Sequence, residues 1–433
     1  MNDIAIGIVG IFILMGMFLT GIELAFAMAL TGFLGYAYLT TFSAACNIVA
    51  KDFFDTFTSY TLTVIPLFVL MGQIAYHSGT AKRIYGAAHH LVGQVPGGLA
   101  MTTVVGATLF KAMCGSTLAT AATFSSLAIP EMRRYGYSRR LSCGVVASVG
   151  TLGVIFPPSI TLIIFGIISE QSIGELFLAG IVPGLIISSL FLVVIYGWVK
   201  IDPSSAPKGE GFTWKEKLRS IPELLWVAMI FLVVMGGLMK GFFTPTEAGT
   251  IGTLSVLLVA VAKEHLPLKK LITSSDESLR TGCMVLALLA GSSVFGHFLA
   301  ITEIPIMAAE WIAGLSLHKN LIIILIMLIY LIGGSFIDDL AFMILATPIF
   351  FPVVTKLGFD PIWFGIIIGI TVMIGAIIPP VAMCVFVVKN ITGEDFKVIY
   401  GGVYPFLLSL IACAVLLFIF PQVATFLPKM FAQ

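Results

Sequence analysis

Gly153-Val154-Ile155-Phe156-Pro157-Pro158 recurs 222 positions later as Gly375-Ala376-Ile377-Ile378-Pro379-Pro380. Both copies stand inside long apolar stretches, where a proline pair must interrupt any helix. Each ring removes an N–H and clashes with the carbonyl four residues earlier. For Pro157 that carbonyl belongs to Gly153, and for Pro379 to Gly375. The same offset pairs Pro130 with Pro352, Gly136-Tyr137 with Gly358-Phe359, and Pro183 with Pro405. Nearer the starts, Thr20-x-x-Glu23 aligns with Thr244-x-x-Glu247. The chain therefore reads as a duplication carrying one broken helix per half.

The solvent for which this chain is built follows from its composition. Of 433 residues, 59% are hydrophobic and 10% charged, with a mean hydropathy of +1.08. Soluble domains run near about 45–50% apolar and about 25% charged, so the expectation is a polytopic membrane protein. With 23 basic and 22 acidic residues there is no polybasic face for nucleic acid. Cys46, Cys114, Cys143, Cys283, Cys384 and Cys413 show neither disulfide nor metal spacing and read as small packing residues. The start, Met1-Asn2-Asp3, lacks the basic region of a secretory signal, so the N-terminus is expected to be retained.

A crossing needs about 20 mostly apolar residues. Ten stretches qualify: 4–20, 22–41, 60–77, 141–168, 176–199, 222–240, 247–262, 281–301, 362–388 and 400–427. Residues 97–130 and 320–352 are too long for one crossing and short for two. They carry Gly115-Ser116-Thr117 and Gly333-Gly334-Ser335 at their middles, which predicts two re-entrant hairpins. Loop charges orient the set. Lys82 and Arg83 precede the first hairpin, and Arg133, Arg134, Arg139 and Arg140 follow it, so its flanks are cytoplasmic. Basic loops recur at Lys200, Lys208, Lys215, Lys217 and Arg219, and at Lys263, Lys269, Lys270 and Arg280. Ten spans with both termini outside satisfy every loop.

The predicted architecture is thus all-α, with two inverted repeats of five spans. The first, 1–220, holds scaffold arms (1–80), a hairpin (97–130), a broken helix (141–168) and a last span (176–199). The second, 221–433, holds arms (222–301), a hairpin (320–352), a broken helix (362–388) and a last span (400–427). Inverted repeats with broken helices are a sequence signature of secondary transporters, with the site at the midplane.

Carbonyls freed at membrane depth need a partner, since an unpaired polar group there costs several kcal/mol, roughly. A dehydrated Na⁺ suits them, with Gly115 and Ser116 facing the first break and Gly334 and Ser335 the second. The intramembrane charges are functional candidates by default. Lys111 either attracts an organic anion or snorkels to the interface. Asp338 and Asp339 follow the second tip, where at least one caps the next helix. Glu23 and Glu247, each three residues after a Thr, read as capping boxes. His297, with no His or Cys at ligand spacing, reads as a hydrogen-bonded packing residue. Candidate substrate contacts around the tips are Lys111, Ser116, Thr117, Thr120, Ser335 and Asp338.

Further motifs carry a resemblance. Gly115-Ser-Thr-Leu-Ala-Thr120, Ile129-Pro130-Glu131-Met132, Gly150-Thr-Leu-Gly153, Pro157-Pro158-Ser159, Ile173-Gly174-Glu175-Leu-Phe177, Phe243-Thr-Pro-Thr-Glu247-Ala and Asp360-Pro-Ile-Trp-Phe-Gly365 span nearly the whole chain. It resembles the large membrane (M) subunit of tripartite ATP-independent periplasmic (TRAP) transporters. The resemblance implies an elevator transporter, in which hairpins and broken helices carry Na⁺ and substrate across a static scaffold. It also implies two partners, a small four-helix membrane subunit (Q) and a periplasmic substrate-binding protein (P). The sodium sites it implies join the first tip to Gly153 and Phe156, and the second to Gly375 and Ile378. The sequence departs from the family at Ile378, usually Thr, at Thr371, usually Asn, and at Ala382, usually Gly; a side-chain ligand from 378 is lost. Lys111 is outside the family pattern.

The expected function is sodium-coupled uptake of a small organic anion across the bacterial inner membrane, with Na⁺ as coupling ion. A carboxylate, a sugar acid or a sulfonate would each suit the site. A stand-alone sodium–carboxylate symporter is the alternative, distinguished by whether a binding protein is required. An intramembrane enzyme would have only Asp338-Asp339 as a dyad. Adjacent helical residues point about 100° apart, which argues against a shared proton, and no enzymatic activity is expected.

Overall fold

The computed structural model describes residues 3–207, 209, 211–304, 307, 310 and 318–431; Met1, Asn2 and Lys208 of the sequence reading lie outside them. The described chain is helical, without strands. The first half runs α1 (Asp3–Leu19), α2 (Leu24–Leu39), α3 (Phe42–Thr58), α4 (Val64–Ser78), α5 (Thr80–Val92), α6 (Gly98–Lys111), α7 (Thr117–Arg134), α8 (Arg139–Thr151), α9 (Ile160–Ile168) and α10 (Ile173–Ile201). The second runs α11 (Trp214–Met239), α12 (Pro245–Glu264), α13 (Leu268–Ile301), α14 (Lys319–Phe336), α15 (Asp339–Lys356), α16 (Pro361–Gly375), α17 (Met383–Thr392), α18 (Phe396–Ile419) and α19 (Gln422–Phe431).

The broken helices lie at the centre. Residues 141–165 and 362–377 are buried without interruption, whereas α1, α11 and α12 present apolar side chains outward. Such an outward apolar surface is stable against lipid, not water. Among the described residues seven helices are long and apolar enough to cross a membrane, counting α14 and α15, and the bent pair Phe42–Thr58 with Thr61–His77 allows an eighth. The helices α1 and α2, at about 1.5 Å per residue, are shorter than the hydrocarbon thickness. The hairpins are α6–α7 and α14–α15. Close approach along the buried helices depends on glycine: a Cβ on Gly144 of α8 would lie 2.2 Å from the Gly402 carbonyl oxygen of α18.

Several boundaries differ from the sequence reading. The helix α3, left between spans 22–41 and 60–77, is amphipathic, and Lys51, Asp52 and Asp55 keep it from reading as a crossing; it meets the next helix at 58°. The span read as 281–301 is the end of a 34-residue helix, because no Gly or Pro interrupts 268–281. The last span, read as 400–427, ends at Ile419, and Pro421 separates it from α19. Glu247 does form a capping box with Thr244, whose N–H it accepts at 2.8 Å. Glu23 does not. The hydroxyl of Thr20 instead donates back to the Met17 carbonyl, and Glu23 is itself the residue before α2, with no side-chain cap. A second capping box, Thr213 with Glu216, opens α11.

The ends that carry the predicted basic loops are tied by ion pairs. Arg83 lies 2.7 Å from Glu264 and 3.7 Å from Glu223, while Glu394 holds Arg133 at 2.7 Å and Arg139 at 3.6 Å. The first cluster links α5 with α11 and α12, and the second ties α7 and the start of α8 to the turn between α17 and α18.

Candidate functional site

Each hairpin tip packs on the break of its own half. A Cβ on Gly115 would lie 2.5 Å from the Pro158 carbonyl oxygen, and one on Gly375 would lie 2.8 Å from the Gly334 carbonyl carbon. The proline peptides Pro157-Pro158 and Pro379-Pro380 are both cis. The two breaks are otherwise unlike. The first is buried throughout, and its Ser159 hydroxyl donates to the Val154 carbonyl at 2.5 Å. At the second, Pro379 and Pro380 are exposed. There the Val381 N–H donates to Ser335, and the Ile378 N–H is shared between Ile374 and Gly375.

The second tip is not where its glycines suggested. The helix α14 continues through Gly333-Gly334-Ser335 to Phe336, and the turn falls at Ile337-Asp338. The residue equivalent to Ser116 is therefore Asp338, 222 positions on, without the gap that aligning the two Gly-Ser pairs required. Both are N-caps. The Ser116 hydroxyl accepts from the Ala119 N–H at 3.2 Å, and an Asp338 carboxylate oxygen accepts from Leu340 and Ala341 at 3.1 and 3.4 Å. Ser335 instead donates its hydroxyl to Ile332 within its own helix. Glycine was a poor guide here because a helix buried against neighbours tolerates it.

The tips also meet each other. Thr117 and Asp339, again 222 apart and each the first residue of a hairpin's second arm, are joined by a 3.3 Å hydrogen bond from the hydroxyl to the carboxylate. Asp339 is buried. The premise that Asp338 and Asp339 are successive residues of one helix does not hold, for a local reason. Asp338 precedes the helix with non-helical backbone (φ −54°, ψ 143°), so helical spacing does not apply to it.

A cavity of about 400 Å³ opens where the tips face the scaffold. The first tip lines it with Cys114 through Ala119, the second with Asp338, Asp339 and Leu340, and the scaffold helices α4 and α13 with Phe68, Gln73, Thr281 and Met284. Of the candidate substrate contacts, Ser116, Thr117 and Asp338 line it. Thr120 and Ser335 do not: the Thr120 hydroxyl bonds the Ser116 carbonyl. Lys111 does not line it either. It is 0% exposed, and its ammonium donates to the Ser116 carbonyl at 2.9 Å, so it reaches neither the cavity nor the interface. Among the implied sodium ligands, Phe156 turns its ring to the scaffold, stacked on Phe231 of α11 at 6.1 Å. Among the described residues no group of three or more His, Cys, Asp or Glu could hold a metal ion.

The model of the tripartite ATP-independent periplasmic transporter, DctM component, matches residues 11–423. The chain belongs to this family. The permease is 34% identical to the C4-dicarboxylate TRAP transporter large permease protein DctM of Pseudomonas aeruginosa, over 88% of this chain and 89% of that one. It is 32% identical to the sialic acid TRAP transporter large permease protein SiaM of Vibrio cholerae, covering 96% and 97%. The 2,3-diketo-L-gulonate TRAP transporter large permease protein YiaN of Escherichia coli is also 32% identical, covering 94% and 96%. Among solved structures, the Alcanivorax borkumensis YdaH transporter, described as having an unusual topology, superposes with a TM-score of 0.64 over 88% of this chain and 89% of that one. At 13% identity that likeness is one of fold alone.

Sequence reasoning missed the scaffold wall of the permease cavity and the Thr117–Asp339 bond. Gln73, Thr281 and Met284 carry no local signal, because only packing of α4 and α13 against the tips makes them neighbours. The bond could have been found: applying the 222 offset to Thr117 lands on Asp339. His297 pairs with Asp52 at 3.2 Å, as a hydrogen-bonded residue, although its side chain is half exposed.

Proposed function

We propose that this permease takes up a small organic anion by sodium-coupled elevator transport, receiving it from a periplasmic binding protein and working with a small membrane subunit. The observation that carries the reading is the single cavity closed by both hairpin tips on one side and by scaffold helices on the other. A substrate there lies between the tips and the scaffold, so a shift of the tips against the scaffold would change the side to which it is open.

The first tip is the better anion contact. Its helix N-terminus presents unsatisfied N–H groups and the positive end of the helix dipole, capped only by the neutral Ser116. The second tip already holds two carboxylates, which leaves it to shape the cavity and bind the first through Thr117. Sodium, as co-transported substrate, suits the second tip and break. There the Gly334 carbonyl, in the last turn of α14, faces Gly375, and the exposed prolines leave a way in. Ile378 offers only backbone oxygen. The relatives' named substrates are dicarboxylates, a sialic acid, a sugar-derived keto acid and isethionate, and the proposed class is correspondingly a carboxylate, a sugar acid or a sulfonate. The two ends of the chain are placed in the periplasm and the whole in the inner membrane.

Reconstitution in liposomes with the small subunit tests this. Uptake of labelled organic acids should require both an inward Na⁺ gradient and the binding protein. Uptake with Na⁺ alone would favour a stand-alone symporter. Indifference to Na⁺ would remove sodium from the reading.

A further inference from the structure

Lys111 lies where the first tip meets the first break, and its surroundings are those of a cation site. Its ammonium donates to the Ser116 carbonyl at 2.9 Å. It also rests against Gly153, the residue whose carbonyl Pro157 leaves without a helical donor: a Cβ there would fall 2.2 Å from Nζ. The Thr117 N–H, opening α7, is 3.1 Å from the same point. The first break is sealed from the surroundings, and Lys111 is wholly buried within it. Asp339 is joined to the same tip through Thr117, whose hydroxyl donates to its carboxylate at 3.3 Å.

The equivalent position in the second half carries no cation. The position 222 residues after Lys111 is Gly333, and the Phe342 ring occupies the space where its side chain would begin. The duplication has thus placed a tethered cation at one tip–break contact and none at the other.

We propose that the Lys111 ammonium takes the place of a sodium ion at the first tip–break contact, so that this permease couples to one Na⁺ fewer than its two tips could hold. The inference rests on the sodium-coupled reading. It makes the first tip permanently organised, with substrate uptake drawing its ion only at the second.

Two measurements test it, both on the full-length permease with its small membrane subunit. The first is the shift of melting temperature of the purified complex titrated with NaCl against choline chloride. The second is the Na⁺:substrate coupling number from reversal potentials in proteoliposomes supplied with the binding protein. The wild type should saturate as a single Na⁺ site. Lys111→Ala, which opens the oxygen cage, should show a second site and a coupling number larger by one. Lys111→Met, which fills the space without charge, should show no second site and at least tenfold slower uptake. A wild-type titration that requires two Na⁺ sites overturns the proposal without any variant. So does an equal coupling number in wild type and Lys111→Ala, and both results leave sodium coupling intact. Wild-type uptake and melting temperature indifferent to Na⁺, in contrast, would remove the sodium reading. In that case a Na⁺-dependent melting shift appearing in Lys111→Ala would still support the exchange of ammonium for ion.

Discussion

Gly375 and Gly334 touch across the second tip–break contact, yet adding a methyl to one should be far more costly than adding it to the other. A Cβ on Gly375 would meet the Gly334 carbonyl carbon at 2.8 Å, its oxygen at 3.0 Å and the Ser335 nitrogen at 3.1 Å. All three are backbone atoms, so no rotamer change relieves the clash. Restoring ordinary contact at 3.4 Å requires the tip to retreat by about 0.6 Å. A Cβ on Gly334 would meet only Val372, at 3.7 Å or more, which is ordinary packing. Inserting a methyl into a tight contact costs about 1–3 kcal/mol. For Gly375→Ala that penalty falls on the tip-engaged state alone, and at about 1.4 kcal/mol per tenfold it reduces engagement by roughly 5- to 150-fold. Gly334→Ala, inside α14, should instead be neutral or slightly stabilising, because Ala is favoured over Gly in a helix by about 1 kcal/mol. The assay is uptake in proteoliposomes against Na⁺ concentration, with both variants checked for equal assembly by size exclusion. Half-maximal Na⁺ should rise by at least fivefold in Gly375→Ala and stay within twofold in Gly334→Ala. Equal behaviour of the two variants would refute the placement of the tip against the break.

Three other outcomes are expected. Thr117→Val removes the donor to the buried Asp339 carboxylate and should cost about 1–3 kcal/mol of tip–tip association, read as a drop in uptake of fivefold or more, whereas Thr117→Ser should retain most activity. Gly144→Ala drives a methyl into the Gly402 carbonyl and should lower the melting temperature and yield of the protein by about 1–3 kcal/mol of packing, with no selective effect on Na⁺ dependence. Thr244→Ala breaks the capping box of α12 and should cost about 1 kcal/mol of helix stability, measurable as a lower melting temperature. Sodium-driven uptake should be unchanged by that substitution; a loss of uptake at full stability would give Glu247 a role in ion movement.

The membrane class, the duplication, the hairpins and the breaks were legible along the chain because each has a local cause. A proline cannot donate, an apolar run of given length suits lipid, and a repeated spacing survives without any knowledge of packing. The capping box at Thr244 was legible for the same reason, since its partners are three residues apart. The equivalent reading at Glu23 failed because the identical pattern followed the end of α1, where Thr20 found a closer acceptor in Met17. At the second tip, two adjacent glycines outweighed Asp338 in the sequence reading. In the fold, a capping carboxylate that satisfies two helix N–H groups sets the turn, and the glycines stay helical. Tertiary structure alone decided what Lys111 does. A lysine at a hairpin tip can reach for an anion or for the interface, and nothing within a few residues chooses between them. The choice is made by the packing of the tip on the first break: the ammonium donates to the Ser116 carbonyl, and Gly153, forty-two positions away, leaves with its missing side chain the space the ammonium fills.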